Sequence, residues 1–193
     1  MANICDSSFK IRGPREALDN LWNTLQELKV SEKNVWLGDL ARLYGIDPEE
    51  KQCSVRGDVY WAEYEQEYGI ISLDTESAWC ANVEFFEELN HVFGDELSIS
   101  FREVECGCEV FYVHDEGGFF PEECLVDCSG DQFHENGEII VDTIEDAIEE
   151  WCRAMGIEQD NRSQEEMIKF INDYEYEDED TYYYIHPFVF DGN

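Results

Sequence analysis

The sequence predicts an α+β fold, and three features of its patterning carry that reading. Short runs in which apolar and polar residues alternate mark strands. Stripes of apolar residues at helical spacing mark helices, and Gly, Pro and Asn punctuate the boundaries. The strands cluster instead of alternating strictly with helices, which favours antiparallel sheet covered by helices on one face.

Residues 4–11 alternate and form the first strand. Gly13-Pro14 ends it, and Pro14 suits the first turn of a helix whose stripe is Leu18, Leu21, Trp22, Leu25 and Leu28. A short helix over 36–43 follows, closed by Gly45 and Pro48. Residues 53–65 and 69–79 read as two strands. Val83, Phe86, Leu89 and Phe93 mark a helix that stops at Gly94; Leu97, Ile99, Phe101 and Val104 mark the next strand. This order is a split βαββαβ, the ferredoxin-like arrangement, with a helical insertion near 36–50. Residues 110–113 and 119–126 are expected to continue the same sheet around a turn at Asp115-Glu116-Gly117-Gly118. Asn136-Gly137 signals a hairpin returning through 139–141. Thr143 caps a helix with Ile144, Ala147, Ile148, Trp151 and Met155 inward, and Gly156 ends it. Ser163 opens a last helix carrying Met167, Ile168 and Ile171. From Tyr174 to Tyr184 acids and tyrosines intermix, as a strand or as a loop ordered by a partner. The expected organisation is a domain over 1–128, with an acidic hairpin, helices and tail over 129–193 packed on it.

The charge narrows the function. The chain has 47 Asp and Glu against 12 Lys and Arg, a net charge of −35. Acidic chains that stay unfolded are poor in aromatics; this one has 14% and is expected to fold. The acids are unevenly spread: residues 1–56 hold 8 bases and 9 acids, whereas 57–193 hold 4 bases and 38 acids. Salt adaptation or general solubility would spread them; a partner surface concentrates them. Phosphates and anionic headgroups are repelled, so neither nucleic acid nor membrane is expected as a direct partner, and a basic protein is. The start of the chain has no secretory pattern, and no run of about 18 apolar residues occurs. A cytoplasmic location in a host cell, with the eight cysteines reduced, is the expectation.

Four short segments carry a family resemblance: Met1-Ala2-Asn3-Ile4-Cys5, Arg56-Gly57-Asp58, Ser77-Ala78-Trp79 before a helix, and Glu103-Val104-Glu105-Cys106-Gly107-Cys108 after the next strand. Through them residues 1–120 are similar to the Api92-like, or YubB ferredoxin-like, proteins of phages and plasmids. The resemblance implies a ferredoxin-like fold, a home on a mobile genetic element and no assigned enzymatic activity.

Carboxylates in rows can imitate a phosphate track. Alternate residues of a strand lie about 6.6 Å apart on one face, and duplex DNA carries one charge per roughly 1.7 Å of axis. The expected partner-binding rows are Glu103 with Glu105; Glu122 and Glu123 with Asp127; and Glu135, Glu138 and Asp142. Asp115 and Glu116 add the turn between them. Glu145, Asp146, Glu149 and Glu150 form like-charged i,i+4 pairs on the helix after Thr143. Glu175, Glu177, Asp178, Glu179 and Asp180 sit among tyrosines that offer an arginine both area and a π face. Together these point to an acidic nucleic-acid mimic that blocks the basic channel of a host defence enzyme, a CRISPR effector or a restriction enzyme. Such a protein is anti-CRISPR-like or anti-restriction. A homodimer would lengthen the track. The alternatives are an acidic carrier of a basic DNA-binding protein, and a small zinc protein with Cys106, Cys108, Cys124 and Cys128 as ligands, although C-x-C and C-x3-C are not the usual knuckle. His91, His114, His134 and His186 fall in no catalytic motif, so neither enzyme nor cofactor is expected.

Overall fold

Alternation builds the first strand: in β1 (Ile4–Arg12) Cys5, Ser7, Phe9 and Ile11 are buried while Ile4, Asp6 and Arg12 are exposed. α1 (Arg15–Leu28) starts after Pro14 and buries Ala17, Leu18, Leu21 and Leu25. A two-residue strand, β2 (Val35–Trp36), leads into α2 (Leu37–Tyr44), which ends on Gly45 in the left-handed region. α3 (Pro48–Lys51) is one turn capped by Asp47. Then follow β3 (Gly57–Glu65), β4 (Ile70–Ala78), α4 (Val83–Val92), β5 (Ser98–Glu105), a 3-10 turn over Cys106–Cys108 and β6 (Val110–His114). The rest comprises β7 (Cys124–Ser129), β8 (Gly137–Val141), α5 (Ile144–Met155), α6 (Gln164–Asn172), β9 (Tyr182–Pro187) and β10 (Val189–Asp191). The computed structural model describes residues 3–29 and 34–191. Among them, no helix is long and apolar enough to cross a membrane.

The chain is α+β and falls into two units. One spans Met1–Phe119 and takes back Phe190–Asn193; the other spans Phe120–Val189. The first holds a seven-stranded sheet in the order β10-β6-β5-β1-β4-β3-β2. β1 runs antiparallel to both β4 and β5, with Phe9 opposite Leu73 and Phe101. α1, α2 and α4 bury their stripes against the inward residues of these strands, and Phe9 stacks on Phe86 with centroids 4.0 Å apart.

The second unit holds a three-stranded sheet, β8-β7-β9, under α5 and α6. Residues 119–126 therefore do not extend the first sheet as expected. Gly118 turns the chain at φ +67, and Pro121 has no N–H to offer a ladder. The strand forms only at Cys124 and pairs with β8 and β9. A boundary at 128 would cut β7, so the division falls between Phe119 and Phe120. The tyrosine-rich stretch ends as a strand: Tyr182–Pro187 pairs along β7.

α6 is tied to β9 through one side chain. Asn172 Nδ2 donates to the Ile185 carbonyl at 3.0 Å, and the Ile185 N–H donates to Asn172 Oδ1 at 2.8 Å. Asn172→Ala leaves both backbone groups half-buried and unpaired. It is expected to lower unfolding free energy by about 2 kcal/mol, read by urea denaturation; an unchanged midpoint would refute the tie.

Candidate functional site

Strand parity decides which carboxylates of the second unit face water. In β7 the apolar Cys124, Val126 and Cys128 turn toward α5 and α6, which sends Asp127 to the other face. There Asp127 lies directly opposite Glu138 of β8 and Tyr184 of β9. Two carboxylates facing each other across a ladder repel, so this pair opposes the fold. Tyr182 hydrogen-bonds Asp127 and stacks on Tyr184, with centroids 5.6 Å apart. Glu138 and Asp142 are exposed. Glu122 and Glu123 precede the strand, so they do not continue a row with Asp127; Glu135 likewise precedes β8.

On α5, Ala147, Ile148 and Trp151 form the buried stripe. Glu145, Asp146 and Glu149 are exposed and Glu150 is half-buried. Thr143 caps the helix by accepting from the Asp146 N–H, and Gln164 Nε2 donates to Glu145 Oε1 at 2.8 Å. Beyond α6 the chain alternates again. Tyr174 and Tyr176 turn inward around Trp151, whose Nε1 donates to the Tyr176 hydroxyl at 2.7 Å. Glu175 and Glu177 consequently turn out, and Asp178, Glu179 and Asp180 continue into solvent. Glu175, Glu177, Asp178 and Asp180, with Asp131, line a concavity of about 630 Å³ that has Tyr174 and Tyr176 in its wall and no Lys or Arg.

Two expectations are corrected. Glu103 and Glu105 are not an exposed row: they share the inward face of β5 with Phe101, and Glu105 is 4% exposed. Cys106 and Cys108 sit on a 3-10 turn of the first unit, while Cys124 and Cys128 lie inside the core of the second. Burial pushes the Cys124 thiol up to about 12 and the Cys128 thiol up to about 11. Among the described residues, no group of three or more His, Cys, Asp or Glu is arranged to hold a metal ion. Asp115 Oδ1 accepts from the Gly117 N–H and so shapes the turn after β6. The histidines lie apart: His91 pairs with Asp95, His114 is 3.8 Å from Glu116, His134 is 3.9 Å from Glu135, and His186 lies beside Tyr184.

A buried polar patch in the first unit escaped the sequence reading. Where β1 begins and β4 and β5 end, the inward row changes from Phe9, Ile11, Ile71 and Leu73 to Cys5, Ser7, Thr75 and Ser77. Glu103 Oε2 accepts from the Ala81 N–H at 2.9 Å and lies 3.9 Å from Cys5 Sγ; Glu105 Oε1 accepts from the Gly107 N–H at 3.0 Å. Burial pushes the Cys5 thiol up to about 12. Trp79 and Asn82 hold positive φ, and Asn82 is fully buried. Its amide sits so close to Gly57 that a Cβ there would be 3.1 Å from Nδ2 and 2.8 Å from the Glu76 carbonyl oxygen. Thr75 Oγ1, both Asn82 amide atoms and Glu105 Oε2 are buried without a hydrogen-bond partner among the described residues. Buried polar groups in this state cost about 1–3 kcal/mol each. Asn3, Cys5, Gly57, Ser77, Trp79 and the 103–107 stretch meet here. The signal was present: the alternation that runs through Phe9 and Leu73 continues, with polar residues, to Ser7 and Ser77.

No family model, no curated protein and no solved structure matches this chain.

Two outcomes follow from this geometry. Thr75→Val keeps the shape and removes a buried hydroxyl, so thermal unfolding is expected to be unchanged or stabilised by up to about 1 kcal/mol; destabilisation of that size would mean the hydroxyl is satisfied. Iodoacetamide at about pH 8 is expected to label exposed Cys80 in the folded protein, to label exposed Cys108 more slowly because its hydrogen bond to Glu105 pushes the thiol up, and to spare Cys5, Cys124 and Cys128 until denaturant is added. Peptide mass spectrometry reads the pattern, and early labelling of Cys124 would contradict it.

Proposed function

We propose that this chain is an acidic nucleic-acid mimic from a mobile genetic element, which inhibits a host defence enzyme by occupying its basic nucleic-acid-binding channel. The observation that carries the reading is one concavity of the second unit, lined by five carboxylates and two tyrosines with no Lys or Arg; a neighbouring concavity of the same unit does include Arg162 and Lys169. Arginines and lysines that hold phosphates in a channel would hold these carboxylates instead, with counterion release and long-range steering speeding the encounter.

The rest of the surface supports the same partner. Across 120–189 there are 21 acids and 3 bases, and one of the bases, Arg162, lies 3.7 Å from Asp160 and 4.4 Å from the Phe170 ring centre. The cations of β1 offer no phosphate track of their own. Lys10 Nζ donates to Ser72, Arg12 lies over the Phe119 ring, and Asp74 beside them accepts from Ser8. The order β5-β1-β4-β3, with α1 and α4 as the connections, fits a ferredoxin-like reading of the first unit and with it the resemblance to Api92-like proteins.

The test uses the chain as bait in bacterial lysate. A basic nucleic-acid-binding protein is expected to be retained at low salt, released as salt rises and displaced by duplex DNA. Glu138→Lys supplies the sharper arm. It converts a repulsive cross-strand pair into an attractive one, so it should stabilise the fold by about 0.2–1 kcal/mol while weakening the capture. A catch indifferent to salt and DNA would overturn the proposal, and so would undiminished capture by the double variant Glu175→Lys with Glu177→Lys, which reverses two carboxylates of the concavity.

A further inference from the structure

The first unit contains a second concavity of a different character, about 390 Å³ in volume, between α4 and the β5–β6 edge. Its floor is apolar: Phe9, Phe86 and Phe101 with Leu97 and Ile99. Phe9 and Phe86 stack on each other just beneath the floor, each 1% exposed, and His114 stacks on Phe101 with centroids 5.6 Å apart, so the floor is held rigid from below. Its rim is acidic, with Glu87 from α4, Glu116 after β6 and Asp191 from β10.

Two of the rim carboxylates are fixed in place. The Tyr112 hydroxyl donates to Asp191 Oδ2 at 2.8 Å. Ser98 Oγ donates to Glu116 Oε2 at 3.1 Å, and the Glu116 N–H donates to Ser100 Oγ at 3.1 Å. Surface acids kept only for solubility have no need of such anchoring. Held carboxylates lose little entropy when a cation arrives, which is how a small site gains affinity and selectivity. No lysine or arginine lines the cavity.

We infer that this pocket binds a small organic amine, one with a flat apolar body and a single protonated nitrogen. The body would lie on the aromatic floor, gaining burial and, for the part near the nitrogen, attraction to the ring faces. The ammonium would lie between Glu116 and Asp191, making charge-assisted hydrogen bonds. The volume falls within the range of small-molecule sites and suits a single-ring amine. Charge complementarity selects this occupant: the rim carboxylates have hydroxyl partners, and His114 lies 3.8 Å from Glu116, but no Lys or Arg lines the cavity, so an ammonium adds an opposite charge that a neutral aromatic lacks, and an anion is repelled. The inference does not rest on the acidic surface of the second unit.

The test titrates 2-phenylethylamine into the full-length, 15N-labelled chain and follows backbone amide shifts. Saturable shifts are expected at Leu97, Tyr112, His114 and Glu116. n-Propylamine, which lacks the ring, should bind at least about tenfold more weakly, and 3-phenylpropionate, with the charge reversed, should not saturate. The double variant Glu116→Gln with Asp191→Asn exchanges exposed acids for isosteric amides. It should keep the spectrum's dispersion and lose at least about tenfold in affinity; Asp160→Asn in the second unit should change nothing. Equal binding of the two amines, shifts confined to the acids of the second unit, or an unimpaired double variant would each overturn the assignment.

Discussion

Every carboxylate that stays ionised has to remain in water while small apolar cores close beneath it, and with a net charge of −35 that constraint shapes the whole molecule. Strand parity and helical period are the means. In the second unit one face of β7 is wholly apolar, one stripe of α5 is wholly apolar, and the acids take what is left. The core compensates with aromatics: Trp151 and Tyr183 are buried to within 1% and their polar atoms are paired, Trp151 with the Tyr176 hydroxyl and Tyr183 with the Ala147 carbonyl. Large rings bury much area per residue ordered, which suits a unit whose surface repels itself.

The same constraint separates two kinds of polar placement. An exposed acid costs the fold only a share of a diffuse repulsion. A buried, unpaired one costs far more, and no solubility argument accounts for it. Thr75 Oγ1, the Asn82 amide and Glu105 Oε2 are buried polar atoms of this kind, although Glu105 Oε1 accepts from the Gly107 N–H, and Asn82 sits on a connector with two residues in the left-handed region. Backbone strain together with unsatisfied buried polar atoms persists only where the surrounding structure over-determines it. The first unit therefore carries a polar feature that the charge count does not anticipate.

Most elements were legible in the sequence because their signals were local. The cap at Thr143, the stops at Gly45 and Gly156 and the alternation of β1 each depend on neighbours a few residues away. What was missed depends on partners far along the chain. Glu103 and Glu105 were read as outward because acids usually are, but Phe101 is fixed inward by Phe9 and parity carries the glutamates with it. Val104, the apolar residue between them, lands on the opposite face. The passage from β6 to β7 was misread for the opposite reason: Phe119 and Phe120 supply hydrophobicity, whereas Gly118 and Pro121 decide geometry. Of the acidic rows, Asp127 and Glu138 come together only through a register that pairs β7 with β8. The concavity around Glu175 and Glu177 exists because Trp151, more than twenty residues earlier, draws Tyr174 and Tyr176 inward.

The two concavities differ in what can answer their charge. In the second unit the carboxylates are exposed and the wall is largely polar, so attraction there is long-ranged, adaptable and screened over about 10 Å at moderate salt. Affinity must then come from many contacts made at once, which a macromolecular basic surface can supply and a single small cation cannot. In the first unit the acids are fewer and anchored, and the floor is closed apolar surface. Attraction there has a short-ranged component that salt does not screen, and it rewards shape as well as charge. The two proposed recognition chemistries thus differ because in one place the fold sets carboxylates around open water and in the other beside packed aromatic rings.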